Sequence, residues 1–156
     1  MVRSLYGCKS LALFFMLSGC QHHPIEVICK GNSMEPTIYA KDKLLVEPVD
    51  SKSKLNLEDI ILFMRPKMKL SLAKRIVGVP GDIYLDSDCS IKKIPLGSYF
   101  VMGDNRKISL DSRDFGLVEA IYKVTKIIPF GGRTLESKPF PVQQGDFDFS
   151  IYKLIK

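Results

Sequence analysis

The sequence predicts an all-β domain, a curled and mainly antiparallel sheet preceded by a short N-terminal apolar segment. Three observations carry that prediction. Glycine and proline are frequent, 11 and 9 among 156 residues, which favours turns and short strands over long helices. The apolar residues of the chain come in short runs or alternating stretches, the signature of strands buried on two faces or one. Polar, Gly-containing or Pro-containing connections separate these runs. The length suits one domain able to bury its own core, and neither an internal repeat nor a low-complexity tract interrupts it.

Residues 1–20, MVRSLYGCKSLALFFMLSGC, begin with Arg3 and Lys9, continue with the apolar run Leu11 to Leu17, and end in Ser18, Gly19 and Cys20. This is the layout of an export signal. The uncharged stretch between Lys9 and His22 covers twelve residues, short of the ~20 that span a bilayer as a helix. Leu17 to Cys20 also resembles a bacterial lipobox, which makes Cys20 a possible lipidation site; an uncleaved signal anchor is the alternative, and either one exports residues 21–156. In an oxidising compartment Cys29 and Cys89 either pair or stay separate thiols.

Beyond this segment, IEVIC at Ile25 to Cys29 is a short strand, and GNSMEPTI after it is a constrained loop. KLLVE (Lys43 to Glu47) and IILFM (Ile60 to Met64) are strands joined by the exposed, Lys-rich stretch Asp50 to Asp59. LAKRIVGV (Leu72 to Val79) is a strand that Pro80 and Gly81 end, and Ile83 to Leu85 restarts β structure. SYFVM (Ser98 to Met102) is followed by a polar loop from Gly103 to Asp114, and VEAIYKVTKII (Val118 to Ile128) alternates as one long strand. Residues from Pro129 onward form a peripheral tail. The formal charge of +6 falls to +4 without Arg3 and Lys9. The remaining lysines are dispersed among acidic residues, so nucleic acid is not an expected partner, whereas a weak attraction to anionic membrane lipid is.

Three segments carry chemistry. Ser33 stands on a bend with Met34 and Pro36 beside it, the first apolar and the second stiffening, which makes these two candidates for lining a substrate groove. A rigid bend also aims backbone N–H groups at one point, as an oxyanion requires; the Ser33 N–H is the candidate donor. Lys74 occupies an apolar strand position among Leu72, Ala73, Ile76 and Val77, where desolvation lowers an ammonium pKa and leaves an amine able to act as base to a serine. The loop GDNRKISLDSRDFG, from Gly103 to Gly116, offers Ser109 to hold such an amine and an Asp111–Arg113 ion pair to fix the loop.

In this order, GNSMEPT, KRIVGVPGD and GDNRKISLDSRDFG resemble the nucleophile, lysine and final boxes of the signal peptidase I family. The likeness covers Gly31 to about Ile128. It implies an all-β catalytic domain with a Ser/Lys dyad, no metal and no cofactor. It also implies cleavage of exported preproteins after small residues, on the outer face of the bacterial cytoplasmic membrane. Carried over by position, Ser33 is the nucleophile, Lys74 the base and Ser109 the residue that orients it, with Asp111 and Arg113 as the supporting pair. Where some members add a hydroxyl to the oxyanion hole, this chain has Gly31, so a second donor must come from elsewhere. The chain lacks the large extra β domain of Gram-negative members and is nearer in size to the peptidases that mature a pilin precursor in conjugation systems. A non-catalytic exported lipoprotein that kept the fold is the rival from another class.

Overall fold

The computed structural model describes residues 25–65, 70–86 and 90–135. The export segment, Cys20 and Cys89 lie outside the described residues. Among the described residues eight strands account for nearly all the regular structure: β1 (Ile25–Ile28), β2 (Lys43–Pro48), β3 (Ile60–Arg65), β4 (Leu70–Gly78), β5 (Ile83–Leu85), β6 (Ile91–Lys93), β7 (Phe100–Met102) and β8 (Tyr122–Ile128). Six of them form one sheet in the order β1-β2-β8-β3-β4-β7, and β5 and β6 form a separate ribbon. Each of these pairings is antiparallel.

The sequence of β3 explains the centre of this arrangement. IILFMR begins with four consecutive buried residues, a pattern that suits a strand covered on both faces. Because side chains alternate, Ile60 and Leu62 join Met34, Ile38, Leu44 and Val46 on one side. Ile61 and Phe63 join Leu55, Ile76, Val101 and Val118 on the other. Each such side chain, fully buried, contributes about 1.5–3 kcal/mol. A smaller cluster of Tyr84, Ile94, Phe100 and Met102 lies under the ribbon.

Expected and observed strands differ in four places. Val118 to Ile128 is not one strand: Val118 and Tyr99 exchange two backbone hydrogen bonds of 2.8 and 3.0 Å beyond the end of β7, and the chain must then cross before β8 starts at Tyr122. The loop after Gly103 contains a helical turn, α1 (Ser112–Phe115), with Asp111 and Asp114 forming a reciprocal capping box. That spacing is readable in DSRD, an acid at the cap and another three residues on. Strand β6 is too short and too polar to stand out alone and exists by pairing with β5. The expected tail starts with a 3₁₀ turn, Phe130–Gly132, that is hydrogen-bonded to the body of the domain; residues 136–156 lie outside the described residues.

Two edges of the sheet are open among the described residues. Strand β1 pairs only with β2. Strand β7 covers β4 only from Arg75 to Gly78, so between Leu70 and Lys74 the edge of β4 away from β3 carries no described strand.

Candidate active site

Ser33 sits on the loop joining β1 to β2. Met34 and Ile38 anchor that loop by inserting into the core, and the Ile38 N–H closes a turn on the Met34 carbonyl at 2.8 Å. The consequence for Met34 is burial, with 1% of its surface exposed, so it is a core anchor with no open face for a substrate, whereas Pro36 is exposed. The Ser33 carbonyl accepts from the Asn105 N–H at 3.0 Å. This holds the first chemical segment against the third. Gly103 makes the approach possible, because a Cβ there would lie 2.5 Å from the Ser33 carbonyl oxygen and 2.2 Å from Ser109 Oγ. The Ser33 N–H has no acceptor among the described residues.

Lys74 reaches the same point from β4. It stands directly across from Ile61 of β3, between Leu72 and Ile76 on one face of its strand, and only 1% of it is exposed. Its Nζ lies 2.5 Å from Ser33 Oγ. Burial pushes the Lys74 pKa down, and the charges of Asp111, Cys29 and Asp104 oppose that push without cancelling it. A lysine in this environment gives up its proton more readily than one in water, and its nearest polar partner is a hydroxyl.

The third segment folds around the buried carboxylate of Asp111. Burial alone raises the pKa of this group, but Arg113, the Gly103 N–H and Ser109 outweigh it and hold the carboxyl below its ordinary value. Arg113 grips it in a two-pronged contact, Nε to Oδ1 at 2.8 Å and NH2 to Oδ2 at 3.0 Å, and the Gly103 N–H donates to Oδ2 at 3.0 Å. Ser109 Oγ is buried beside this group and completes no hydrogen bond of normal geometry. No hydrogen bond joins Ser109 to Lys74 among the described residues.

A second polar cluster has no counterpart among the residues singled out from the sequence. Arg75 donates from Nε and NH2 to the two oxygens of buried Asp104 at 2.8 and 2.6 Å. Thr37 Oγ1 donates to the same carboxylate at 2.5 Å, and Arg75 NH1 donates to the Glu58 carbonyl at 2.9 Å. The cluster ties all three chemical segments together. A signal was present: Thr37, Arg75 and Asp104 are polar positions of the quoted segments, and an arginine inside an apolar strand needs a buried partner. Cys29 is a free thiol, donating weakly to the Gly31 carbonyl at 3.4 Å; its pairing with Cys89 falls outside the described residues.

A family model described as signal peptidase, peptidase S26, matches residues 7–88 and 83–128. The chain belongs to this signal peptidase family. Among its relatives, signal peptidase I V of Bacillus subtilis is 32% identical, with 59% of this chain and 76% of the relative covered. Mitochondrial inner membrane protease subunit 1 of Xenopus tropicalis is 35% identical over 72% of this chain and 68% of its own length. A solved signal peptidase I from Enterococcus faecalis is 27% identical, covers 49% of this chain and 100% of its own, and superposes with a TM-score of 0.39. Membership of this family makes the protein a serine endopeptidase, and its described strands form an antiparallel, nearly all-β fold. Among its described residues no helix is long and apolar enough to cross a membrane.

Proposed function

We propose that this peptidase cleaves signal or leader peptides from exported preproteins through a Ser33/Lys74 dyad. The observation that supports this reading best is the 2.5 Å approach of Lys74 Nζ to Ser33 Oγ at a site where the lysine is buried and its pKa lowered. Neutral Lys74 takes the hydroxyl proton as Ser33 Oγ attacks the scissile carbonyl carbon. The Ser33 N–H, which has no other acceptor among the described residues, donates to the oxyanion. Collapse breaks the C–N bond, and the Lys74 ammonium gives its proton to the departing amine. Water then attacks the acyl ester, losing a proton to Lys74, which returns it to Ser33 Oγ as the acid product leaves.

Two features bear on the substrate. The uncovered stretch of β4 ends at Lys74, and β1, with its own free edge, leads into the loop of Ser33. An extended peptide entering there adds as a strand and is held mainly by backbone hydrogen bonds. Small side chains at the first and third positions before the cut suit such a close approach. Ser109 is the positioning hydroxyl for the Lys74 amine, since it is buried next to Gly103, which also packs against Ser33, and has a hydrogen bond to give. Residues 1–20 hold the enzyme at the bacterial cytoplasmic membrane with this site on the outer face, where the lipid surface and the preprotein meet. The test is cleavage, in detergent or lipid, of a preprotein with alanines at those two positions and, in parallel, of a pilin precursor. Cleavage by the unaltered protein, with none by Ser33→Ala or Lys74→Ala, is expected; equal cleavage by all three sinks the dyad.

A further inference from the structure

The loop that carries Ser33 is closed at its base by two backbone hydrogen bonds, from the Cys29 N–H to the Asp42 carbonyl and from the Lys41 N–H to the Cys29 carbonyl, each 2.8 Å. At that base Lys41 adopts a left-handed conformation, φ 74°, which a lysine keeps only when its surroundings impose it. The next side chain, Asp42, is buried at 1% exposure. Its Oδ2 accepts from the Tyr39 N–H at 2.9 Å, a bond within the loop, and is ion-paired with Arg133. Its Oδ1 accepts from the Phe130 N–H at 2.9 Å. Two stacked contacts flank the carboxylate: the Arg133 guanidinium lies 4.2 Å from the centre of the Tyr39 ring, and the Lys41 ammonium 5.4 Å from that of Phe130.

The segment after β8 therefore grips the base of the nucleophile loop through one buried carboxylate and two rings. Among the described residues, none of these groups bonds to Ser33 or Lys74. The loop is otherwise held by Met34 and Ile38 in the core, by Thr37 on Asp104 and Arg75, and by the Asn105 N–H at the Ser33 carbonyl. Those restraints fix its middle and its Ser33 end. The return limb, Tyr39 to Asp42, is held by its two backbone hydrogen bonds to Cys29 and by Phe130, Arg133 and the two ring contacts.

We propose that residues 129–133 are a latch that positions Ser33 against Lys74, with Asp42 and Arg133 as positioning residues; this rests on the dyad reading above. A short proton-transfer distance is the property most exposed to loop tilt, since a displacement of about 1 Å at a reacting group costs roughly 100-fold in rate. Arginine suits the role because one planar group both pairs with the carboxylate and stacks on the ring. The latch acts on turnover and not on substrate capture, because its contacts are made to the loop's return limb and none of them to β1 or β4, the strands with free edges.

The experiment uses the full chain in lipid or detergent and compares Arg133→Gln, Arg133→Lys and Tyr39→Leu with the unaltered protein and with Ser33→Ala. It reads kcat and KM on a preprotein, together with amide hydrogen exchange. Arg133→Gln is expected to lower kcat by about 10-fold or more, within the range a sub-ångström misplacement gives, with KM changed less than about 2-fold. Exchange should quicken at the Tyr39 and Lys41 amides and stay slow in β3 and β4. Arg133→Lys and Tyr39→Leu, each keeping half of the grip, should fall between. A kcat within about 2-fold of the unaltered protein overturns the latch, as does exchange that rises equally in β3 and β4, which marks general loosening. Activity retained by Ser33→Ala would instead remove the dyad itself. An inactive Ser33→Ala beside an unimpaired Arg133→Gln removes the latch alone.

Discussion

Lys74 and Arg75 are consecutive residues of one strand, and both are buried cations, 1% and 8% exposed, yet the fold treats them in opposite ways. Arg75 is given a carboxylate gripped by two of its nitrogens, a hydroxyl and a backbone carbonyl. Lys74 is given a serine hydroxyl and apolar walls. Alternation of side chains along β4 sends the two to different faces, so each environment is built separately although the residues adjoin. A guanidinium so satisfied keeps its charge and serves as a structural tie. An ammonium denied a direct carboxylate partner has its pKa lowered, the property that the proposed dyad asks of its base.

The largest break in this comparison is the removal of either dyad member. Ser33→Ala and Lys74→Ala should each lower kcat/KM by about 10⁴-fold or more, the scale seen when a nucleophile or its base is lost, in a cleavage assay. They should not act additively, because either loss disables the same step. Next comes Arg75→Met, which strands the Asp104 carboxylate in the interior with Thr37 as a remaining donor. Urea unfolding should show a loss of about 3–5 kcal/mol. Adding Asp104→Leu should recover most of that loss, since two buried charges removed together cost far less than one left alone. Recovery of stability without change in the dyad's chemistry would separate the tie from the base.

A smaller effect, on a single methyl group, probes how closely the segments fit. Gly103→Ala puts a Cβ within 2.2 Å of Ser109 Oγ and 2.5 Å of the Ser33 carbonyl oxygen, so backbone must move. Overpacking of this kind costs about 1–3 kcal/mol, and the displaced serine should lose roughly 100-fold in kcat. Measured together, stability and kcat tell whether the shift is absorbed by the Ser109 loop or by the nucleophile.

The same contrast explains what is legible in the sequence. Strands β2, β3, β4 and β5 are readable because burial on one or two faces leaves a local pattern in the chain. So are the loop position of Ser33 and the burial of Lys74, settings made largely by their own neighbours: a bend containing Pro36, and a strand of apolar residues. Arg75 and Asp104 do not announce each other, because their partnership joins residues 29 apart in sequence. The grip of Arg133 on Asp42 spans 91 residues and is hidden for the same reason. The late start of β8 at Tyr122 is likewise decided by a distant event, the pairing of Val118 with Tyr99. Met34 shows the converse failure, in which an apolar residue beside a nucleophile has the look of a substrate wall and is core, because burial depends on where the loop docks.

The two titrating groups of the site give the smallest and most specific test. Lys74 has its pKa lowered from 10.5 in the fold, so between its folded value and 10.5 the unfolded chain binds more protons than the native one. Stability must then rise with pH across that window, by up to about 1.4 kcal/mol per pH unit, and level off beyond 10.5. Asp111 acts at the other end: its pKa is lowered from 3.8, so its contribution is fully present above 3.8 and is lost as pH falls through the folded value. Chemical denaturation across pH for the unaltered protein and Lys74→Met isolates the first effect as a difference. Lys74→Met should be the more stable of the two at neutral pH, because its folding neither buries an ammonium nor has to neutralise one, and their curves should converge as pH approaches 10.5. Two parallel curves would mean that Lys74 keeps its proton in the fold as Arg75 does, and the contrast between the neighbours would be gone.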